Sequence, residues 1–203
     1  MGVAIIGKDV SLISSITGKA KATISRVFSV SGWAGGGPAS QGPQAGSTAI
    51  SADRGGVDWV NPTNVYLSNN YTYCSTVYDQ ESNWIKATNF GFSIPTGATI
   101  NGITVTLKRL VEDGLAFDIA ARIVKNGSLT VGSSQPNPNN WTVISFESIT
   151  YGGPSDLWGT SWTAADINAS YFGFALYAQQ LSGNKFPINM YLKELKIKID
   201  YTT

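Results

Sequence analysis

Apolar and polar side chains alternate in several short segments between residue 57 and the end of the chain. The clearest are residues 103–110 (ITVTLKRL) and residues 195–201 (LKIKIDY), and the second alternates strictly. An alternation with a period of two residues directs one set of side chains toward a core and the other toward water, which predicts half-buried β-strands. We expect the last strand to pair centrally in a sheet, with a β-bulge where the alternation breaks at residues 191–195.

Turn residues separate these segments at short intervals. Further strands are predicted at residues 117–125, 141–150 and 171–178. Asn101-Gly102 and Asn126-Gly127 are typical of tight turns, and residues 128–131 are expected to return as a hairpin partner of 117–125. Only residues 163–168 favour a helical turn, with Thr163 as its N-cap. The pattern predicts an all-β fold, an antiparallel β-sandwich of jelly-roll type.

The first 56 residues differ in composition from the rest. They are rich in Gly, Ser and Ala, and residues 35–46 (GGGPASQGPQAG) have the composition of a flexible linker. Such a segment buries too little apolar surface to fold alone, so we predict an extended N-terminal arm over 1–56 that docks onto a partner. The sandwich domain is then expected over 57–203. The apolar side chains expected to contact the partner are Ile13, Ile16, Ile24, Val27, Phe28 and Trp33.

The chain of 203 residues contains no histidine and one cysteine. Without histidine there is no Ser-His-Asp triad and no imidazole ligand for a metal. A single cysteine excludes an intrachain disulfide and thiolate clusters of zinc or iron. The net charge of +1 gives no strong field toward nucleic acid, and no apolar run reaches the roughly 18 residues of a membrane span. No cofactor, metal, nucleic-acid or membrane partner is therefore predicted.

Carboxylates are the groups from which a polysaccharide hydrolase would be built, because such enzymes use a pair of them. Glu112, Asp113 and Asp118 surround one predicted turn, and Asp156 and Asp166 surround another. We interpret the first group as a hairpin turn and Asp156 as a loop cap, since nothing in the sequence brings them into a cleft. The regular spacing of a calcium loop is absent as well. The chain is accordingly predicted not to be an enzyme.

Aromatic residues are concentrated in two parts of the chain. They are Tyr66, Tyr71, Tyr73, Tyr78 and Trp84, followed by Trp141, Trp158 and Trp162. Aromatic side chains along strands usually fill a core or an interface, and that interpretation is favoured here. The alternative is an exposed face on which Tyr71, Tyr73 and Tyr78 stack against sugar rings or a protein partner. Cys74 lies among them and, with no histidine to act as a base, is expected to be a small buried residue.

Several characteristic strings occur together between residues 57 and 201. They are VDWVNPTNV at 57–65, NFGFSIPTGATINGITV at 89–105, YGGPSDLWG at 151–159, ADIN at 165–168 and FGFA at 172–175. Together they resemble a domain widespread in virion proteins of tailed bacteriophages, found in capsid-decoration, tail and fibre-associated components. The apolar segment at residues 13–18 (ISSITG) is also similar to segments that precede such domains in phage proteins.

This resemblance implies a structural role and supplies no catalytic residues. The expected function is a virion structural protein that docks by its N-terminal arm onto major capsid or tail components, with capsid decoration slightly ahead of tail or fibre. The expected partners are other virion proteins and further copies of the chain, a trimer being one option. We expect it in the virion, after synthesis in the host cytoplasm. The alternative is a receptor- or carbohydrate-binding module of a tail or fibre, whose partner is a host surface glycan.

Overall fold

The computed structural model describes residues 36–52, 54–129, 131–181 and 186–203. Within these residues the chain forms nine strands and two short helical segments. The strands are β1 Pro38–Gln44, β2 Thr48–Ala52, β3 Thr72–Thr76, β4 Trp84–Thr88, β5 Thr99–Val111, β6 Ala116–Val124, β7 Glu147–Gly153, β8 Gly173–Gln180 and β9 Ile188–Thr202. The helical segments are a 3₁₀ helix at Pro62–Tyr66 and the α-helix α1 at Ala164–Asn168.

The strands of the described residues form two antiparallel sheets. Sheet A has the order β1-β9-β5-β7, with β3 also paired to β9, and sheet B has the order β2-β4-β8-β6. Successive strands alternate between the two sheets, so each connection crosses from one layer to the other, as in a jelly roll. The predicted all-β fold, an antiparallel β-sandwich of jelly-roll type, is confirmed.

Strand β9 is central in sheet A, as its strict alternation predicts. Strand β5 pairs along one side of it, while β3 and β1 pair with its first and second halves on the other side. The predicted bulge lies at Glu194, which has a φ of 54° and marks a slip in the register to β5. The backbone N–H of Glu194 donates to the carbonyl of Leu67 at 3.2 Å. This bond lies between the part of β9 that pairs with β3 and the part that pairs with β1.

The inner faces of the two sheets form the core. Ile197 and Ile199 of β9 and Phe174 of β8 have no exposed surface. Trp158, also fully buried, donates its indole N–H to the carbonyl of Ile103 at 3.0 Å. This bond satisfies the one polar group of a ring that is otherwise held by apolar contacts.

Arg109 and Asp118 form an ion pair between the sheets, with Nη1 and Oδ1 2.9 Å apart and both side chains fully buried. Arg109 also donates to Glu147 at 2.8 Å. Asp118 accepts from the indole N–H of Trp141 and from the hydroxyl of Tyr151, both at 2.8 Å. The network joins β5, β6, β7 and the segment before β7, and it makes Asp118 a structural carboxylate.

The described residues before position 57 belong to the sandwich. Strand β1 pairs with β9, and β2 pairs with β4. From Pro38 onward, the segment expected to be a flexible linker is therefore an edge strand of sheet A. Proline is tolerated there because one side of an edge strand needs no ladder hydrogen bonds. Residues 1–35, and with them Ile13, Ile16, Ile24, Val27, Phe28 and Trp33, lie outside the described residues.

Asn101-Gly102 does not form the predicted turn. The pair lies inside β5, where the register to β9 slips between Ile100 and Gly102. A Cβ on Gly102 would lie 2.2 Å from the carbonyl carbon of Pro154. Glycine is needed here because another stretch of backbone approaches closely, not because the chain reverses.

The predictions after β6 are met in part. Asn126 and Gly127 form the expected turn with positive φ values of 52° and 74°. Of the described residues in 128–131, only Ser128 bridges back to Lys125, so the expected hairpin strand does not form there. Thr163 caps α1 as predicted.

Candidate functional site

Three large side chains lie side by side on the outer face of sheet A. Tyr191 of β9 is in register with Tyr73 of β3 on one side and with Leu110 of β5 on the other. The residues before and after each of these three are buried in the core. Because side chains alternate between the faces of a strand, the three point outward. Phe146, which immediately precedes β7, extends this row.

The rings on this face contact one another around Tyr191. Its ring centroid lies 4.8 Å from that of Tyr71, with the planes at 77°. The distances from Tyr191 to Tyr73 and to Phe146 are 6.2 and 6.5 Å. Tyr71 also lies 6.3 Å from Phe146. These four residues, Tyr71, Tyr73, Phe146 and Tyr191, are called the aromatic cluster below.

The aromatic cluster is accessible to solvent. Tyr71 is 42% exposed, and the other three rings are half-buried. Lys193 covers one flank, with its Nζ 4.4 Å from the centroid of Phe146. The same Nζ donates to the carbonyl of Ser68 at 3.1 Å and lies 3.8 Å from Glu194, which fixes the lysine in this position.

Glu112 and Asn189 occupy the next row of the outer face. The backbone N–H of Glu112 donates to the carbonyl of Asn189 at 2.9 Å. In return, Oε2 of Glu112 accepts the side-chain amide of Asn189 at 2.9 Å and its backbone N–H at 3.3 Å. This polar pair therefore has a fixed geometry beside Tyr191.

The pKa of the Tyr191 hydroxyl is raised, first by partial burial. A hydrogen bond from Asn189 acts in the opposite direction, and the negative charge of Glu112 and the hydroxyls of Tyr71 and Tyr73 raise the pKa further. Tyr191 thus remains protonated at neutral pH and can both donate and accept a hydrogen bond.

This arrangement combines ring faces for stacking with groups that bind hydroxyls. The site was only partly predictable. A core or interface role was favoured for Tyr71 and Tyr73, with an exposed stacking face as the alternative, and the structure places both rings around Tyr191 on the outer face. Phe146, Tyr191, Glu112 and Asn189 were not predicted. The outward position of Tyr191 follows from alternation in β9, but the pairing of β3 with β9 joins parts of the chain more than 100 residues apart.

The remaining predicted aromatic residues lie elsewhere. Tyr78 is 56% exposed in the loop after β3, and no ring contact within the described residues joins it to the aromatic cluster. Trp141, Trp158 and Trp162 are buried, as expected for core residues. Trp84 is half-buried and packs edge-on against Tyr177 on sheet B, with ring centroids 4.5 Å apart.

The carboxylates considered for catalysis have structural partners. Asp156 accepts the N–H of Trp158 at 2.7 Å, as expected for a loop cap. Asp166 accepts the N–H of Thr163 at 2.9 Å, while its own N–H donates to the Thr163 hydroxyl at 3.1 Å, which is a capping box. Within the described part of the chain, no group of three or more His, Cys, Asp and Glu residues is placed to hold a metal ion.

Cys74 is fully buried, and its Sγ lies 3.4 Å from the carbonyl of Val57. Burial, assisted by the charge of Asp58, raises the pKa of its thiol to about 12. A thiol that stays protonated at neutral pH is a poor nucleophile. The expectation of a small buried residue is met.

Exposed apolar side chains also lie in the loops at the end of the sandwich where β5 ends and β9 begins. They are Leu115, Val143, Ile144, Leu181 and Phe186. Ile144 is 93% exposed and borders a cleft of about 490 Å³ beside Leu115 and Trp141. Among the described residues, no helix has the length and hydropathy needed to cross a membrane.

No protein-family model matches the chain, and no curated protein matches it. Solved structures to which the chain is similar include one described as CBM4, with 12% identity over 73% of this chain and 91% of its own, at a TM-score of 0.39. The N-terminal cellulose-binding domain of β-1,4-glucanase C from Cellulomonas fimi is 12% identical over 75% of this chain and 87% of its own, at a TM-score of 0.37.

A third similar structure is the family 11 carbohydrate-binding module from Clostridium thermocellum, in complex with a β-1,3-1,4-mixed-linked tetrasaccharide. It is 12% identical over 84% of this chain and 91% of its own, at a TM-score of 0.34. At these identities and TM-scores, the similarities assign neither a family nor a ligand to this chain.

Proposed function

We propose that this chain is a carbohydrate-binding module without catalytic activity, and that it binds a glycan on the outer face of sheet A. The observation that carries this proposal is the aromatic cluster, in which β3 and the residue before it, β9, and the residue before β7 place four rings together on an accessible surface. Tyr191 lies at its centre, and the Glu112–Asn189 pair adjoins it.

The physical basis is the amphipathic character of sugars. A pyranose ring presents C–H groups that pack on an aromatic face, and hydroxyls at its edge that need hydrogen-bond partners. Tyrosine supplies both an apolar ring and a polar hydroxyl. Because Tyr73 and Tyr191 are held on paired strands, little conformational entropy is lost when a ligand orders them.

The distribution of acidic groups supports binding over catalysis. A glycoside hydrolase needs two carboxyl groups facing one bond, about 5–10 Å apart. Asp118, Asp156 and Asp166 are each occupied by structural hydrogen bonds in different parts of the sandwich. Of the acidic residues considered for catalysis, Glu112 adjoins the aromatic cluster.

The expectation of a bacteriophage virion protein stays a prediction based on the sequence strings. None of the solved structures named above is described as a virion protein. Glycan binding is compatible with that prediction in its alternative form, a receptor-binding component of a tail or fibre. Docking through residues 1–35 remains a prediction as well.

A glycan array probed with the full chain tests the proposed function, followed by calorimetry with the best oligosaccharide. We expect binding by the native chain and a loss of at least about fivefold in affinity for Tyr71→Ala and Tyr191→Ala, because stacking on one aromatic ring contributes about 1–3 kcal/mol where it has been measured for bases. Tyr171→Ala is the matched control, since Tyr171 is 46% exposed and outside the cluster. The proposal is wrong if no glycan binds, or if all three variants bind equally.

A further inference from the structure

The carboxylate of Glu112 is exposed at the edge of the aromatic cluster, immediately after β5. Its Oε2 is occupied by the two N–H donors of Asn189. No hydrogen bond within the described residues uses Oε1. One oxygen therefore holds the side chain in place, and the other is available to accept a hydrogen bond from a ligand.

The polar pair and the rings occupy one continuous surface. Asn189 and Tyr191 are two residues apart on the same face of β9, which separates them by roughly 6–7 Å along the strand. The charge of Glu112 is also among the influences that raise the pKa of Tyr191. A sugar ring stacked on Tyr191 therefore has its edge hydroxyls beside Glu112.

The two cations nearest the rings on this face are paired within the protein. Lys108, in register with Lys193, donates to Glu194 at 2.9 Å. The side chain of Lys193 is only 19% exposed, and its Nζ is held by the carbonyl of Ser68, by Glu194 and by the ring of Phe146. The edge of the site beside Glu112 is thus acidic.

We infer, on the basis of the proposed function, that Glu112 and Asn189 hydrogen-bond to hydroxyls of the glycan and restrict the site to uncharged sugars. A hydroxyl that donates to the carboxylate makes a charge-assisted hydrogen bond, which is stronger than a neutral one. A uronate or sulfate group at the same place meets a like charge, which opposes binding. The ligand class is therefore a neutral glycan.

The test measures the ratio of Kd values for a neutral oligosaccharide and its uronate counterpart of the same linkage. We expect the native chain to prefer the neutral ligand, and Glu112→Gln to reduce that preference by about tenfold, the order expected when a hydrogen bond loses its charge. The control is Asp79→Asn, an exposed acid whose Oδ1 accepts from Gln179 at 2.7 Å, a bond that asparagine retains. Its ratio should equal that of the native chain.

The outcomes separate the two claims. If no glycan of either kind binds, the proposed function is wrong and the inference falls with it. If glycans bind but Glu112→Gln leaves the ratio unchanged, or if the native chain prefers the uronate, the inference alone is overturned. A thermal unfolding curve of each variant verifies that it is folded.

Discussion

Replacing Asp118 with asparagine should destabilise the sandwich more than any other change of similar size. The carboxylate is fully buried and accepts four hydrogen bonds. The donors are the Arg109 guanidinium at 2.9 Å, the Trp141 indole and the Tyr151 hydroxyl at 2.8 Å, and the backbone N–H of Asn137 at 3.0 Å. Asparagine has the same shape, so the substitution leaves no cavity and removes charge and acceptors only.

The size of the loss follows from this geometry. Asparagine offers one acceptor oxygen where aspartate has two. Its amide NH₂ group therefore faces either the donors of Arg109 and Trp141 or those of Asn137 and Tyr151. One set of buried donors is left without an acceptor, at about 1–3 kcal/mol for each unsatisfied group. Among the described residues, Glu147, which is partly exposed, is then the remaining carboxylate paired with Arg109. Breaking a buried ion pair typically costs about 3–5 kcal/mol, and we expect that range here.

Urea unfolding followed by tryptophan fluorescence measures this loss. The midpoint should fall while the slope m stays constant, since the folded shape is unchanged. Asp79→Asn, an exposed acid in the loop after β3 whose bond to Gln179 asparagine retains, is the control and should change stability by less than about 0.5 kcal/mol. The double variant Arg109→Met/Asp118→Asn should lose less than the sum of its single variants. A loss below about 1 kcal/mol for Asp118→Asn, or strictly additive losses, would refute the account of this network.

Two further predictions concern stability. Because the thiol of Cys74 keeps its proton in the folded state up to a pKa of about 12 but ionises from its ordinary value of 9.0 when unfolded, the unfolding free energy should fall as the pH rises above about 9. Cys74→Ala should flatten that slope between about pH 9 and 10 in urea titrations, and an unchanged slope would contradict the assignment. Thr163→Ala removes the capping box of α1 and should cost about 1 kcal/mol by the same assay. Thr163→Ser should retain most of the stability, and an equal loss in both variants would argue against the cap.

Local patterns in the sequence were sufficient to predict much of sheet A. Strict alternation identified β9, its central place and its bulge, because burial on one face imposes a period of two wherever the strand lies. The cap of α1 was equally predictable, since Thr163 and Asp166 are three residues apart and hydrogen-bond to each other. Both features depend on residues that are neighbours in the chain.

Features that depend on contacts between distant parts of the chain could not be predicted from local sequence patterns. Residues 38–44 have the composition of a linker, yet they form a strand because β9 offers them an edge and because Gln41 and Gln44 hydrogen-bond to Ser93 and Gly91. Gly102 is constrained by Pro154, which is far away in sequence. Tertiary contacts outweigh local propensity in both cases.

The same distinction explains the candidate site. The sequence identified Tyr71 and Tyr73 as candidate stacking residues because aromatic residues are dense around Cys74. Their partner Tyr191 lies on β9 and Phe146 lies immediately before β7, and only the order of sheet A brings them together. Glu112 was assigned to a turn, which is where it lies, but its bond to Asn189 beside the rings depends on the pairing of β5 with β9.

A titration followed by two-dimensional ¹H–¹⁵N NMR spectra tests most directly whether the outer face of sheet A is a glycan site. The ligand is the neutral oligosaccharide selected on the array. We predict that the amide signals that shift belong to the aromatic cluster and its rim, namely Tyr71, Tyr73, Glu112, Phe146, Asn189 and Tyr191. Shifts confined to sheet B or to the apolar loops around Leu115 and Ile144, or no shifts at saturating ligand, would contradict the account.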